Sequence, residues 1–195
     1  MASYTGTMLR RSSAIFLGAL SFHSCHSNTA HNQAETMADY GASEYKLEVC
    51  WVACHGDELP ENAVPGGDDV RGDVTYVGRA TYAGEVIPGK VVPFHRFCYV
   101  AHGGAEHMFR DYQVLVSNGA PLAWLPESNG AVPSGALQGG KSHDGEPLYN
   151  GRAKHNGMLT IGKVHPSQRR LYVSFGYKEY SYTEYQVLVC KTINL

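Results

Sequence analysis

One stretch of this chain is written twice, and that repeat constrains the fold more than any other feature. Setting residue n against residue n+73 aligns 51–116 with 124–189 without a gap. Twenty-five of the 66 positions are identical, where ordinary residue usage gives roughly four by chance. The identities include Trp51/Trp124, Gly66-Gly67/Gly139-Gly140, Tyr76/Tyr149, Arg79/Arg152, Lys90/Lys163 and Glu106/Glu179. The longest run is YQVLV, at 112–116 and again at 185–189. A unit of about 70 residues buries little surface by itself, so two copies are expected to pack together into one pseudo-twofold body. The boundaries fall at 1–42 for an N-terminal tail, 43–119 for the first repeat and 120–195 for the second.

Each copy reads as β structure. EYKLEVCWVA alternates, with Tyr45, Leu47, Val49 and Trp51 on one face and Lys46 and Glu48 on the other. VTYVGRATY, EVIPGKVVP, RFCYVA and DYQVLVSN are short runs rich in β-branched and aromatic residues, punctuated by Gly and Pro. No segment carries apolar residues at helical spacing over three turns with caps, so the fold class is all-β with almost no helix. The YQVLV strands are the natural shared core.

Composition narrows the partners. Net charge is −2 and the isoelectric point is near 6.5. With no basic run interleaved with aromatics, nucleic acid is not an expected partner, and no apolar run reaches the length of a membrane-spanning helix. Five cysteines, at 25, 50, 54, 98 and 190, are an odd and scattered set, read as buried thiols in a reducing compartment. Cys50 and Cys54 lie on one strand roughly 13 Å apart, too far to bridge. No zinc ligand set is present, and the HSCHS of the tail carries no metal assignment. The tail holds two arginines, no acidic residue in its first 25 positions and a short apolar run from Ala14 to Phe22. A secretory signal, an organelle transit segment and a plain disordered tail all fit it. A cytoplasmic location is expected if the tail is inert, and a secreted or organellar one if it is a targeting peptide.

The combination W-x8-P-x2-A-x2-GG, YVGRA, G-x4-GK-V, GG-x-E and Y-x-VLV, present twice over about 46–192, resembles a tandem pair of DM9 repeats. The resemblance implies an all-β lectin that binds mannose-type sugars without a metal or other cofactor, acts in innate immunity against microbial surfaces and forms homodimers. It further implies that the aspartate of the GG-x-D element and the lysine of the P-x-K element contact the sugar. Those positions are Asp69 and Lys90, with Asp68 beside them.

The chemistry of the residues agrees. Vicinal sugar hydroxyls both donate and accept; a carboxylate accepts two of them and an ammonium donates to a third oxygen, in charge-assisted bonds. The sequence places Asp69 in a glycine-flanked turn and Lys90 in another turn after Pro88-Gly89. The second copy departs from this pattern. Ser142 stands for Asp69, Lys141 for Asp68 and Ile161 for Pro88, while Lys163 stays and Asp144 lies two positions on. Lys163 and Asp144 are therefore the candidates for a second site, which the substitutions leave weaker, altered in specificity or lost. Arg79 and Arg152 are read as structural, bonding carbonyls or Glu106 and Glu179.

Other classes fit less well. None of the repeat-region histidines has a histidine partner in the other copy, and no nucleophile motif or phosphate loop occurs, so no catalytic residue is assigned. The acidic cluster 57–69 lacks the spacing of a calcium loop. The remaining alternative is a non-catalytic protein-interaction scaffold without a sugar ligand.

Overall fold

The computed structural model describes residues 48–191; the tail, Cys25 and Tyr45 to Leu47 lie outside the described residues. The protein is all-β. Among the described residues, seven strands precede residue 119: β1 (Glu48–His55), β2 (Pro65–Asp68), β3 (Val74–Tyr82), β4 (Glu85–Val92), β5 (Phe97–His102), β6 (Ala105–Phe109) and β7 (Asp111–Asn118). Seven follow: β8 (Leu122–Ser128), β9 (Gln138–Lys141), β10 (Pro147–His155), β11 (Met158–His165), β12 (Arg170–Phe175), β13 (Lys178–Tyr182) and β14 (Glu184–Cys190). Helix is limited, among the described residues, to one 3-10 turn at Pro93–His95.

The pairing pattern of the first seven strands recurs in the second seven. β1 pairs with β7 and β8 with β14; β3 with β4 and β10 with β11; β5 with β6 and β12 with β13. All are antiparallel, and the sheet runs from β1 to β8 through a β6–β13 junction. There Ala105 faces Lys178, Glu106 N donates to Tyr177 O at 3.2 Å, and Glu179 N donates to Gly104 O at 3.1 Å. The second contact is the first with the repeats exchanged.

Other crossings come in the same matched form. Arg79 Nη1 donates to Gly139 O at 3.2 Å, and Arg152 Nη1 to Gly66 O at 3.0 Å. Each arginine also bonds the glutamine of its own YQVLV strand, Gln113 or Gln186, and lies 4.2 or 4.3 Å over Trp51 or Trp124. These are the carbonyl partners expected for the arginines; Glu106 and Glu179 are engaged elsewhere. The GG element recurs for a matching reason. A Cβ on Gly67 would overlap the Leu159 carbonyl, and one on Gly140 the Val86 carbonyl, each in the opposite repeat.

Three apolar clusters fill the interior. One belongs to the first repeat and includes Ala80, Ile87, Val100, Tyr112 and Val114. A second, in the later repeat, includes Val164, Leu171, Val173, Tyr185 and Val187. The third is shared: Val64, Val77 and Leu115 meet Ile161 and Leu188, flanked by Trp51 and Trp124. The strand period of two explains the division. Within YQVLV, the Tyr and first Val face the repeat's own cluster, and the Leu faces the shared one. Leu115 and Leu188 are buried, so truncating either to alanine costs about 3 kcal/mol or more.

Two local expectations are corrected. β1 is not an in–out strand: Val49 and Trp51 flank the shared cluster, while Cys50 and Cys54 are buried on the opposite face. The strand is covered on both sides, which erases the alternation. Lys90 is not in a turn either. It sits within β4, opposite Val77 on one side and Tyr99 on the other. The Pro88-Gly89 pair that suggested a turn is instead extended strand, with Gly89 pressed against the Tyr99 carbonyl. Cys54 and Cys98 are buried thiols outside any disulfide. Burial pushes both thiols up, Cys54 to about 11.

Candidate functional site

The β2–β3 hairpin, the middle of β4 and the β12–β13 turn converge on a cavity of about 240 Å³. Asp68, Asp69, Thr75, Lys90, Tyr99 and Glu106 come from the first repeat. Met158, Thr160, Phe175, Gly176 and Tyr177 come from the second.

Asp69 closes the hairpin. Its Oδ1 accepts from Arg71 N at 2.8 Å and from Asp73 N at 2.9 Å, while its own amide donates to Asp73 O. This side-chain turn is what an Asp at a hairpin start favours. The other carboxylate oxygen, Oδ2, is buried and has no hydrogen-bond partner within the protein. The same is true of Thr75 Oγ1 in the same cavity wall. Buried polar atoms are nearly always paired, so an unpaired carboxylate oxygen and an unpaired hydroxyl on residues lining one cavity are exceptions that call for an account.

Lys90 is only 8% exposed. Its Nζ donates to Ser174 O in the second repeat and lies 3.7 Å from Glu106 Oε1. The rings of Phe175 and Tyr99 stand 5.5 and 5.8 Å from the ammonium. Burial pushes the Lys90 ammonium down from its ordinary range, and the Glu106 carboxylate opposes that shift. Glu106 in turn accepts from Tyr177 N at 2.9 Å. Burial and the nearby Glu106 raise the Tyr99 phenol. The cavity thus presents acceptors (Asp69 Oδ2, Glu106), a cationic donor (Lys90), a hydroxyl (Thr75) and aromatic walls. That set can hold a polyol, accepting from and donating to adjacent hydroxyls.

The structure brings Asp69, Lys90 and Asp68 together. Asp68, however, is tied to the other repeat, its Oδ1 accepting from Leu159 N at 2.6 Å. Lys163 occupies the position matching Lys90. It is 6% exposed, 3.6 Å from Glu179 Oε1 and 5.6 Å from the Tyr172 ring. Asp144 is exposed and does not join it. Ser142 Oγ accepts from Glu146 N at 3.0 Å, the bond matching Asp73 N to Asp69 Oδ1. Serine keeps the turn and drops the second oxygen. Leu148 and Ile87 stand where the first cavity has Thr75 and Thr160.

Sequence reasoning missed Glu106, Thr75 and the second repeat's wall. The repeated Lys and Glu identities carry a signal for Glu106, since two buried opposite charges retained in both copies suit a pair. Thr75 has no counterpart identity, and nothing local points to a wall contributed by the other repeat. Among the described residues, no group of three or more His, Cys, Asp or Glu is placed to hold a metal ion, and no helix is long and apolar enough to cross a membrane.

Fold and site together define a class: an all-β protein of two matched repeats, with a polar cavity walled by both. A family model described as the DM9 repeat matches residues 68–182, and the chain belongs to that family. It is 30% identical to Natterin-4 of Thalassophryne nattereri over 152 residues, covering 73% of this chain and 34% of that protein. It is also 30% identical to Natterin-3 of the same organism over 93 residues, or 47% of this chain and 23% of that one. The chain thus spans about a third or less of these relatives' length. In fold it is similar to the crystal structure of the nematode sperm cell motility protein MFP2B. The TM-score is 0.53 at 15% identity, with 82% of this chain and 50% of the other covered.

Proposed function

We propose that this chain is a non-catalytic lectin that binds mannose-type sugars in the cavity of Asp69 and Lys90, without a metal. The observation that carries this reading is the buried, unpartnered Asp69 Oδ2 in a cavity also lined by Thr75, whose Oγ1 is unpartnered, and by Lys90. Two vicinal hydroxyls of a hexose donate to Asp69 Oδ2 and to Glu106, and a ring or hydroxyl oxygen accepts from Lys90. Thr75 completes the set, and the aromatic side chains receive the C–H face of the sugar. Family membership supports the reading. Mannose-containing glycans on microbial surfaces are the partners that suit pattern recognition in innate immunity. One shallow site binds weakly, and linking two sites raises avidity, so the working form is a homodimer; light scattering at micromolar concentration checks it.

Isothermal titration with methyl α-mannoside, with and without EDTA, tests the site. The expected result is one site per chain, unchanged by EDTA, and about ten- to a hundredfold weaker in Asp69→Asn, which keeps the turn but replaces the free oxygen. Equal binding by the native protein and Asp69→Asn overturns the assignment. No binding to any sugar across a glycan array leaves the chain an interaction scaffold.

A further inference from the structure

The described residues include five large apolar side chains that stay exposed: Val70, Val74, Phe94, Met108 and Tyr177. Three of them, Val70, Met108 and Tyr177, line the same cavity. Phe94 adjoins the cavity-lining His95 and carries the Arg71 guanidinium 4.0 Å above its ring. Isolated exposed apolar residues are ordinary; four gathered around one opening are not.

Tyr177 is the most informative of them. It is 79% exposed, the largest exposure of the five. Its backbone is left-handed, with φ +68°, a conformation that disfavours a bulky side chain. The matching position in the first repeat is Gly104, at φ +83°. The fold therefore accepts glycine here, and the ring of Tyr177 is not needed for packing. A strained, exposed aromatic at the lip of a polar cavity points to a role outside the fold. Its amide also holds Glu106 Oε2, which fixes the lip relative to the charged wall.

We infer that Tyr177, with Val70 and Met108, is an aglycone platform: the site takes glycosides whose sugar sits on Asp69 and Lys90 and whose alkyl or aryl aglycone lies along this apolar rim. This rests on the sugar-binding reading of the same cavity. Val70 and Met108 offer no hydrogen bonds to the hydroxyls of a second sugar, which is why an apolar aglycone suits the rim better than an extended oligosaccharide. The second repeat supplies the ring, so the platform belongs to the first repeat's cavity alone; the matching lip of the other lysine has Gly104.

The test compares methyl α-mannoside, octyl α-mannoside below its micelle concentration, and α-linked mannobiose by titration calorimetry. The octyl glycoside is expected to bind about tenfold more tightly than the methyl glycoside, as burial of a few methylenes gives, and mannobiose no more tightly than methyl. Tyr177→Gly brings octyl to within about twofold of methyl while the melting temperature holds or rises. Met108→Ser narrows the gap in the same direction. Asp69→Asn weakens both glycosides by the same factor, about ten- to a hundredfold. Equal affinity for octyl and methyl in the native protein overturns the platform and leaves the sugar site standing. So does a gain with mannobiose alone, or octyl binding unchanged by Asp69→Asn while methyl binding falls. Loss of all mannoside binding in the native protein overturns the sugar reading itself.

Discussion

The two buried lysines of this protein have nearly the same surroundings and unequal chemistry. Lys90 and Lys163 stand at matching positions in β4 and β11, each beside a glutamate at 3.7 or 3.6 Å and each near a tyrosine ring. What separates them is the hairpin opposite. Asp69 spends one oxygen on the turn and leaves the other buried without a partner; Ser142 has a single oxygen and spends it on the turn. The lysine–glutamate pair is part of the scaffold and therefore occurs twice. The free carboxylate oxygen is not needed for the fold, and it occurs once. A hairpin residue can thus differ between the repeats while the bond that holds the turn is kept.

The sharpest way to break this comparison is to remove each lysine. Lys90→Met and Lys163→Met should each destabilise the protein by about 3 kcal/mol or more, because each leaves a buried glutamate without its counter-charge. Denaturant unfolding measures that cost. Only Lys90→Met should also abolish sugar binding. A Lys163→Met protein that folds but binds no sugar would place the working site in the second repeat.

Next in size is Asp69→Asn. It should lower mannoside affinity about ten- to a hundredfold, the loss expected when a charged acceptor leaves a hydrogen-bonded site. Ser142→Ala should leave affinity unchanged. Titration calorimetry on both variants separates the hairpins. Asp69→Ala is the poorer probe, since it also removes the acceptor for Arg71 N and Asp73 N.

The arginines sharpen the comparison from the scaffold side. Arg79→Ala and Arg152→Ala should cost similar amounts, about 1–3 kcal/mol each, because each loses the same kinds of partner. Unfolding midpoints that differ widely would show that the repeats do not share the load equally.

The smallest effect is a pH dependence confined to the second repeat. His155 has Tyr82 as its counterpart, is buried, and has its Nδ1 2.5 Å from Tyr182 Oη. Burial, and after it the Lys90 charge, hold its imidazolium below the ordinary value of 6.5. A base whose folded pKa is depressed is most stabilising when neutral. That stability is present above pH about 6.5 and is lost as pH falls through the folded pKa. Melting temperature should fall on acidification from pH 7 to pH 5, and His155→Gln should flatten the decline.

Much of this was legible in the residues. The 73-residue repeat, the strand runs and the paired YQVLV motifs require an all-β body, because strand period and turn residues are local properties. Asp69 was legible as a turn residue, since its turn is made by neighbours within four positions. Three things were not local, and only the tertiary structure decided them. Lys90 became a strand residue because β3 and β5 claim its backbone on both sides, overriding the Pro-Gly signal. Between the two partners open to Arg79, a carbonyl or Glu106, the carbonyl of Gly139 across the repeat boundary was taken, and Glu106 pairs with Lys90 instead. The cavity walls of Thr160, Phe175 and Tyr177 reached the first repeat only through packing between the two. Side-chain type and spacing determine what each strand is; which strand of the other repeat lies against it depends on contacts distant in sequence, and the complete site is made by those contacts.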